Sequence, residues 1–143
     1  MYKIGITGSI GTGKTTIAKI FAFFNIPIFD ADKEIKNILK TTVIVEQLKS
    51  IWPSVVKKNH VDKLKLRTII FSNKKEKKKL EQLLYPYLEI ELKRFENIYY
   101  NEEILVYDVP LIYETKSEKK YDLIILAHCN VKTQKERVLK RDK

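Results

Sequence analysis

Gly8-Ser9-Ile10-Gly11-Thr12-Gly13-Lys14-Thr15 is the stretch whose reading decides the fold. It satisfies G-x-x-x-x-G-K-[ST], and its flanks supply the context that pattern needs. Ile4-Gly5-Ile6-Thr7 ahead of it reads as a short apolar strand, while Ile17, Ile20, Phe21 and Phe24 behind it keep helical spacing. A loop whose N–H groups converge at a helix N-terminus offers hydrogen-bond donors and a positive dipole end together, which suits a chain of phosphates. Gly8, Gly11 and Gly13 allow turns and close approach that a Cβ would obstruct. Lys14 is placed to reach β- and γ-phosphates, and the Thr15 hydroxyl to ligate Mg²⁺. These residues imply a nucleotide-binding protein.

Downstream, Asn25 reads as a helix stop and Ile26-Pro27-Ile28-Phe29 as a second strand, ending in Asp30-Ala31-Asp32. From Lys33 to about Lys93 the spacings are helical only: Ile35, Ile38 and Leu39; Val45, Leu48, Ile51 and Trp52; Leu66, Ile69 and Ile70. Asn73 and Glu76 suggest a capping box for a longer helix carrying Leu80, Leu83, Leu84, Leu88 and Leu92, with a kink or break near Pro86. A third strand at 104–107 runs into Asp108-Val109-Pro110-Leu111, and a fourth covers 123–127. Both are nearly all apolar, the pattern of parallel strands buried on two faces. A last helix starts near Thr133, with Glu136 completing a second capping box and Arg137 and Arg141 on one face. The class is therefore α/β, with a parallel sheet and a helical insertion between strands 2 and 3.

The 143 residues suffice for one domain, and 44% hydrophobic content for a core. All but four of the 28 basic residues are lysines, spread over helix surfaces, so the net charge of +10 predicts no nucleic-acid partner but favours anionic substrates. A single cysteine, Cys129, fits a reducing compartment and reads as a small buried residue at a strand end. The N-terminus lacks a signal-peptide pattern, and no apolar run approaches a membrane span, so a cytoplasmic location without membrane contact is expected.

Three further positions carry chemistry. Asp108, at the C-terminal tip of an apolar strand, is where a carboxylate would hold Mg²⁺ beside the loop; the plainer alternative is a turn-forming Asp. Asp32 is the choice for the base that accepts a proton from an attacking hydroxyl, and Asp30 for a cap or substrate contact, unless both simply cap the following helix. Arg137 and Arg141 are candidates to reach the transferred phosphoryl group from a moving lid. A regulatory GTPase is excluded because Asn73-Lys74-Lys75-Glu76 is the nearest text to N-K-x-D. His60 and His128 lack companions at zinc-ligand spacing, and no separate G-x-G-x-x-G fingerprint occurs.

Four pieces in this order resemble the dephospho-CoA kinases: IGITGSIGTGKT, FDAD at 29–32, DVPLIYE at 108–114, and TQKERVLKRD at 133–142. LEQLLYPYL at 80–88 is a weaker fifth, with Tyr85 where that family usually has His. The resemblance implies a three-layer P-loop kinase fold in one domain, with a core at 1–32 and 102–131, an insertion at 33–101 that holds the CoA substrate, and the start of a lid at 132–143. It implies transfer of the γ-phosphoryl of ATP to the ribose 3′-hydroxyl of dephospho-CoA, the last step of coenzyme A synthesis. Gly8 and Gly11 to Thr16 would bind ATP phosphates, including Thr12, Gly13 and Thr16, and Arg141 would join them. Asp32 would face the ribose hydroxyl, Asp108 and Thr15 the Mg²⁺, and Arg137 would lie in the lid. Family members continue for several tens of residues with a fifth strand, so a C-terminally truncated chain with four strands and an open sheet edge is expected. The alternatives are a truncated remnant that at most binds nucleotide, and a related nucleoside monophosphate kinase. Nothing in the pattern specifies an oligomer.

Overall fold

The structure, a computed structural model, describes residues 1–110 and 112–141, and of Arg141 the backbone only. In chain order the elements are β1 (Tyr2–Thr7), α1 (Lys14–Phe23), β2 (Ile28–Asp30), α2 (Ala31–Ile38), α3 (Thr42–Ile51), β3 (Val56–Lys57), β4 (His60–Val61), α4 (Lys63–Ser72), α5 (Lys74–Ile98), β5 (Ile104–Asp108), β6 (Leu123–Leu126) and α6 (Val131–Arg141). They form two compact units, 1–32 with 95–143, and 33–94.

The first unit is an α/β sheet domain. Its four strands lie in the order β2-β5-β1-β6, and every pairing is parallel. Alternation along the strands sends Ile4, Ile6 and Val106 to one face, where they are buried with Ala18 of α1 and flanked by Ile17 and Phe21. The opposite face carries a ring cluster in which Phe29, Phe95, Tyr99, Tyr107 and Tyr121 have centroids 5.0–6.3 Å from their neighbours. Gly5 lies within this face because a Cβ there would come 2.7 Å from Ile112 Cδ1 and 3.0 Å from Tyr121 Cγ. The sequence read Gly5 only as part of a strand; its lack of a side chain is what admits the tyrosine ring over the sheet.

A polar contact accompanies the rings. Glu96, near the end of α5, accepts hydrogen bonds from Lys3 Nζ at 2.6 Å and Tyr107 OH at 2.8 Å. Burial raises the Glu96 carboxyl, but those two hydrogen bonds and the neighbouring lysine charges outweigh it and hold it below its usual range. The same burial, with Glu96 alongside, pushes the Tyr107 hydroxyl far up, so it stays a neutral donor.

β6 occupies the end of the sheet. Leu123 and Leu126 are 46% and 60% exposed, so the expectation of a strand buried on both faces holds for β5 but not for β6. A strand paired on one side only is covered less than a central one.

The second unit packs Ile38, Ile44, Leu48, Trp52, Val55, Leu66, Leu80 and Leu84 into its own core. Several local readings need correction. The stretch expected to be purely helical contains the β3–β4 hairpin, in which Lys58 and Asn59 at the turn both have positive φ, 47° and 62°. Positive φ at both central residues is the turn that matches strand twist, and asparagine tolerates it. α5 is one helix across Pro86, not broken there. Proline removes one donor, and burial of Leu80 and Leu84 on one side holds the helix through the gap. The box at its start is only half formed: Asn73 Oδ1 accepts from Lys75 N at 2.9 Å, whereas Glu76 binds Trp52 Nε1 at 2.6 Å and Lys79 Nζ at 2.8 Å. α6 begins before Thr133, and its cap is Asn130, whose Oδ1 accepts from Thr133 N at 2.8 Å.

Candidate active site

Parallel strands end together, so the tips of β1, β2 and β5 bring their last residues to one edge of the sheet. Ile6 and Asp30 are both register partners of Asp108, from either side. The loop between β1 and α1 rises from this edge. Gly8 takes φ +153°, and a Cβ there would fall 2.6 Å from the Ala127 carbonyl oxygen, a backbone atom that cannot move aside cheaply. Thr7, the last residue of β1, is buried, and its Oγ1 donates to the Pro110 carbonyl at 3.0 Å. The loop is folded on itself: Thr12 N and Thr12 Oγ1 both donate to Ser9 O, at 3.3 and 2.7 Å.

α1 then starts at Lys14 with Gly13 in the left-handed region at φ 104° and no side-chain cap. The sequence also leaves its first turn without an acid. An uncapped N-terminus with no acidic neighbour keeps its positive end available to an anion. Among the described residues, the N–H groups of Gly11, Gly13, Lys14 and Thr15 have no protein acceptor. Thr15 and Thr16 are exposed beside them.

The Lys14 ammonium is ion-paired with Asp108 Oδ1, both side chains being largely enclosed. Asp108 is 6% exposed. Burial raises its carboxyl above the usual range; Lys14 opposes this by hydrogen bond and charge, and the negative charges of Asp30 and Asp32 add to the rise. Asp30 closes β2, and Asp32 is the second residue of α2, exposed in its first turn. Asp30 and Asp32 thus act electrostatically on Asp108, whose carboxylate is paired with Lys14. Among the described residues no group of three or more acids, histidines or cysteines could hold a metal ion by itself; a hard divalent cation that keeps much of its water shell asks for fewer protein oxygens. Asp108 and Thr15 carry oxygens that could serve such a cation.

α6 completes the surroundings. Gln134 Nε2 donates to Ile10 O at 2.7 Å, Arg137 NH1 to Gly11 O at 3.4 Å, and Cys129 Sγ lies 3.7 Å from the same Gly11 oxygen. Arg137 therefore lies against the loop itself. Cys129 is half-buried, three residues beyond β6, not a fully buried strand residue. The side chain of Arg141 and residues Leu111 and Asp142 lie outside the described residues. Gln134 was not among the residues singled out from sequence; its partner is 124 positions away, and no local pattern marks it.

A phosphate loop between a central parallel strand and a helix, with acids on the adjoining strand tips, defines a protein of the P-loop kinase fold. The crystal structure of a Thermus thermophilus protein superimposes with a TM-score of 0.88 over 98% of this chain and 72% of that one, at 26% identity. A dephospho-CoA kinase from Campylobacter jejuni shares the fold, with a TM-score of 0.67 at 20% identity. Residues 2–143 match the family model described as dephospho-CoA kinase. The chain belongs to the dephospho-CoA kinase family. Relatives bearing that name include one from Bartonella quintana, 34% identical over 96% of this chain and 72% of its own length. Another, from Gamma-proteobacterium EBAC31A08, is 37% identical over 97% of this chain and 72% of its own length. No helix among the described residues is long and apolar enough to cross a membrane.

Proposed function

We propose that this chain transfers the γ-phosphoryl group of ATP to the ribose 3′-hydroxyl of dephospho-CoA, giving ADP and CoA. The observation that carries the reading is the pairing of Lys14 with Asp108 beside the phosphate loop, with Asp30 and Asp32 close enough to act on the Asp108 charge, in a member of this family.

In this reading the free N–H groups at Gly11, Gly13, Lys14 and Thr15 take the phosphate oxygens, and Gly8, Thr12 and Thr16 shape the cradle. Lys14 spans the β- and γ-phosphates. Thr15 and Asp108 would hold Mg²⁺, which would supply neutralisation of charge on the triphosphate. Asp32 accepts the proton as the 3′-oxygen bonds to the γ-phosphorus and the bond to the β–γ bridging oxygen breaks, releasing ADP. Arg137 stabilises charge on the phosphoryl group in transit, and Arg141 serves the ATP side. The excess of lysine draws in both polyanionic substrates. A cytoplasmic setting accords with a metabolic kinase whose one cysteine makes no disulfide.

The test is incubation with Mg-ATP and dephospho-CoA while following 3′-phosphorylation. Asp32→Asn should lower turnover by at least about 100-fold with little change in ATP affinity, because it removes a base and not a phosphate ligand. Near-normal turnover in that variant would remove the base assignment. Turnover of a nucleoside monophosphate with none of dephospho-CoA would reassign the substrate.

A further inference from the structure

We propose that Gln134 is a positioning residue for the phosphate loop: its side-chain amide pins the Ile10 carbonyl and thereby aims the Gly11 N–H at the bound phosphates. The assignment rests on the nucleotide-binding part of the reading above and adds to it a residue outside the loop motif.

The loop tip has little else to fix it. Ser9 and Ile10 are exposed, Ile10 at 57%, and the internal hydrogen bonds tie Ser9 to Thr12, leaving the Ile10–Gly11 peptide plane between them unheld. Gly11, at φ +76°, is the residue type whose backbone rotates most freely. In a planar trans peptide the carbonyl and the following N–H point in opposite directions, and no cis bond occurs among the described residues. The 2.7 Å bond from Gln134 Nε2 to Ile10 O therefore turns that carbonyl toward α6 and the Gly11 N–H away from it. That N–H has no acceptor among the described residues.

α6 is built to hold the amide there. Asn130 fixes its first turn through Oδ1 to Thr133 N at 2.8 Å, and its carbonyl accepts from Gln134 N at 3.0 Å. The fit is close as well: a Cβ on Gly11 would lie 3.0 Å from both Gln134 O and Val138 Cγ2. The next peptide is held in the same sense, since the Gly11 carbonyl faces Arg137 NH1. Motion of α6 then alters the direction of the loop donors, which couples the helix carrying Arg137 to the grip on phosphate.

The experiment compares Gln134→Met, which keeps length but donates nothing, with Gln134→Glu, which sets an acceptor against the carbonyl. Mg-ATP and inorganic tripolyphosphate, which can engage only the phosphate cradle, are titrated by calorimetry, and melting is followed without ligand. The expected result is a roughly five- to tenfold weaker affinity of Gln134→Met for both ligands, the worth of about one aligned hydrogen bond. Gln134→Glu should be weaker still, with the ligand-free melting midpoints little changed. Equal affinities in parent and Gln134→Met, or a loss for ATP but not for tripolyphosphate, would overturn the assignment. A parent that binds neither ligand would overturn both this inference and the proposed function. A parent that binds both, with the predicted losses but no phosphoryl transfer, would support the inference and remove the kinase reading alone. In the unsubstituted protein, the Gln134 side-chain amide and Gly11 amide NMR signals should shift together on adding tripolyphosphate. Absence of any shift at Gln134 would also count against it, independently of how the variants fold.

Discussion

Asp108 concentrates the conflict between stability and chemistry in one side chain. Its raised carboxyl ionises later in the folded chain than in the unfolded one, so its own contribution to stability falls as pH climbs from the ordinary 3.8 through the raised value, and stays low above it. Asp108→Asn removes that burden at pH 7 while leaving a hydrogen-bond acceptor for Lys14. Its ligand-free melting midpoint is expected to match or exceed the parent's, and phosphoryl transfer to fall by at least about 100-fold. A midpoint several degrees lower in thermal unfolding would show that the Lys14 ion pair outweighs the cost of burying the charge. Lys14 and Asp108 were legible in the sequence because their environments are local: one follows a glycine pattern, the other ends an apolar strand. Gln134 was not legible, because its role exists only once α6 has been folded back against the loop.

At the level of elements, the end of α5 is fastened to the sheet by rings and by one carboxylate. Glu96 is held low, so its stabilising effect is present above its ordinary value of 4.5 and is lost as pH falls through the folded value. Glu96→Gln is expected to cost about 1 kcal/mol at pH 7, with the difference from the parent closing below pH 4.5 in pH-dependent denaturant unfolding. A difference that does not vary with pH would mean that the hydroxyl of Tyr107, not the ammonium of Lys3, carries the contact. The elements themselves were largely readable, since β1, α1, β2, β5 and β6 each carry an apolar run or period. What was missed follows from competition between partners. Glu76 meets the Trp52 indole instead of the backbone at its own helix start, and the β3–β4 hairpin is too short for any period to register. At Pro86 the helix continues because the burial of Leu80 and Leu84 overrides the local preference of the proline.

At the scale of the whole fold, β6 is an outer strand among the described residues and bears two exposed leucines. An apolar edge with unpaired backbone groups is a template for a second strand. Leu126→Lys should reduce concentration-dependent light scattering without lowering the melting midpoint, since the residue is already more than half in water. Unchanged scattering would place any self-association elsewhere. The parallel order of the sheet was foreseeable from apolar strands separated by helices. The return at residues 94–95 was not, because α5 runs across it without any change of composition.

The pairing of Lys14 with Asp108 in the ligand-free chain means that a triphosphate must take its lysine from a counter-ion already in place. Metal-free ATP would strand a carboxylate that burial already inclines to protonate, and so should draw protons from the buffer. Mg-ATP brings a replacement cation and should draw fewer. Binding enthalpies measured across the acidic range in buffers of different ionisation heat would reveal this charge exchange as a proton count that drops when the metal is supplied.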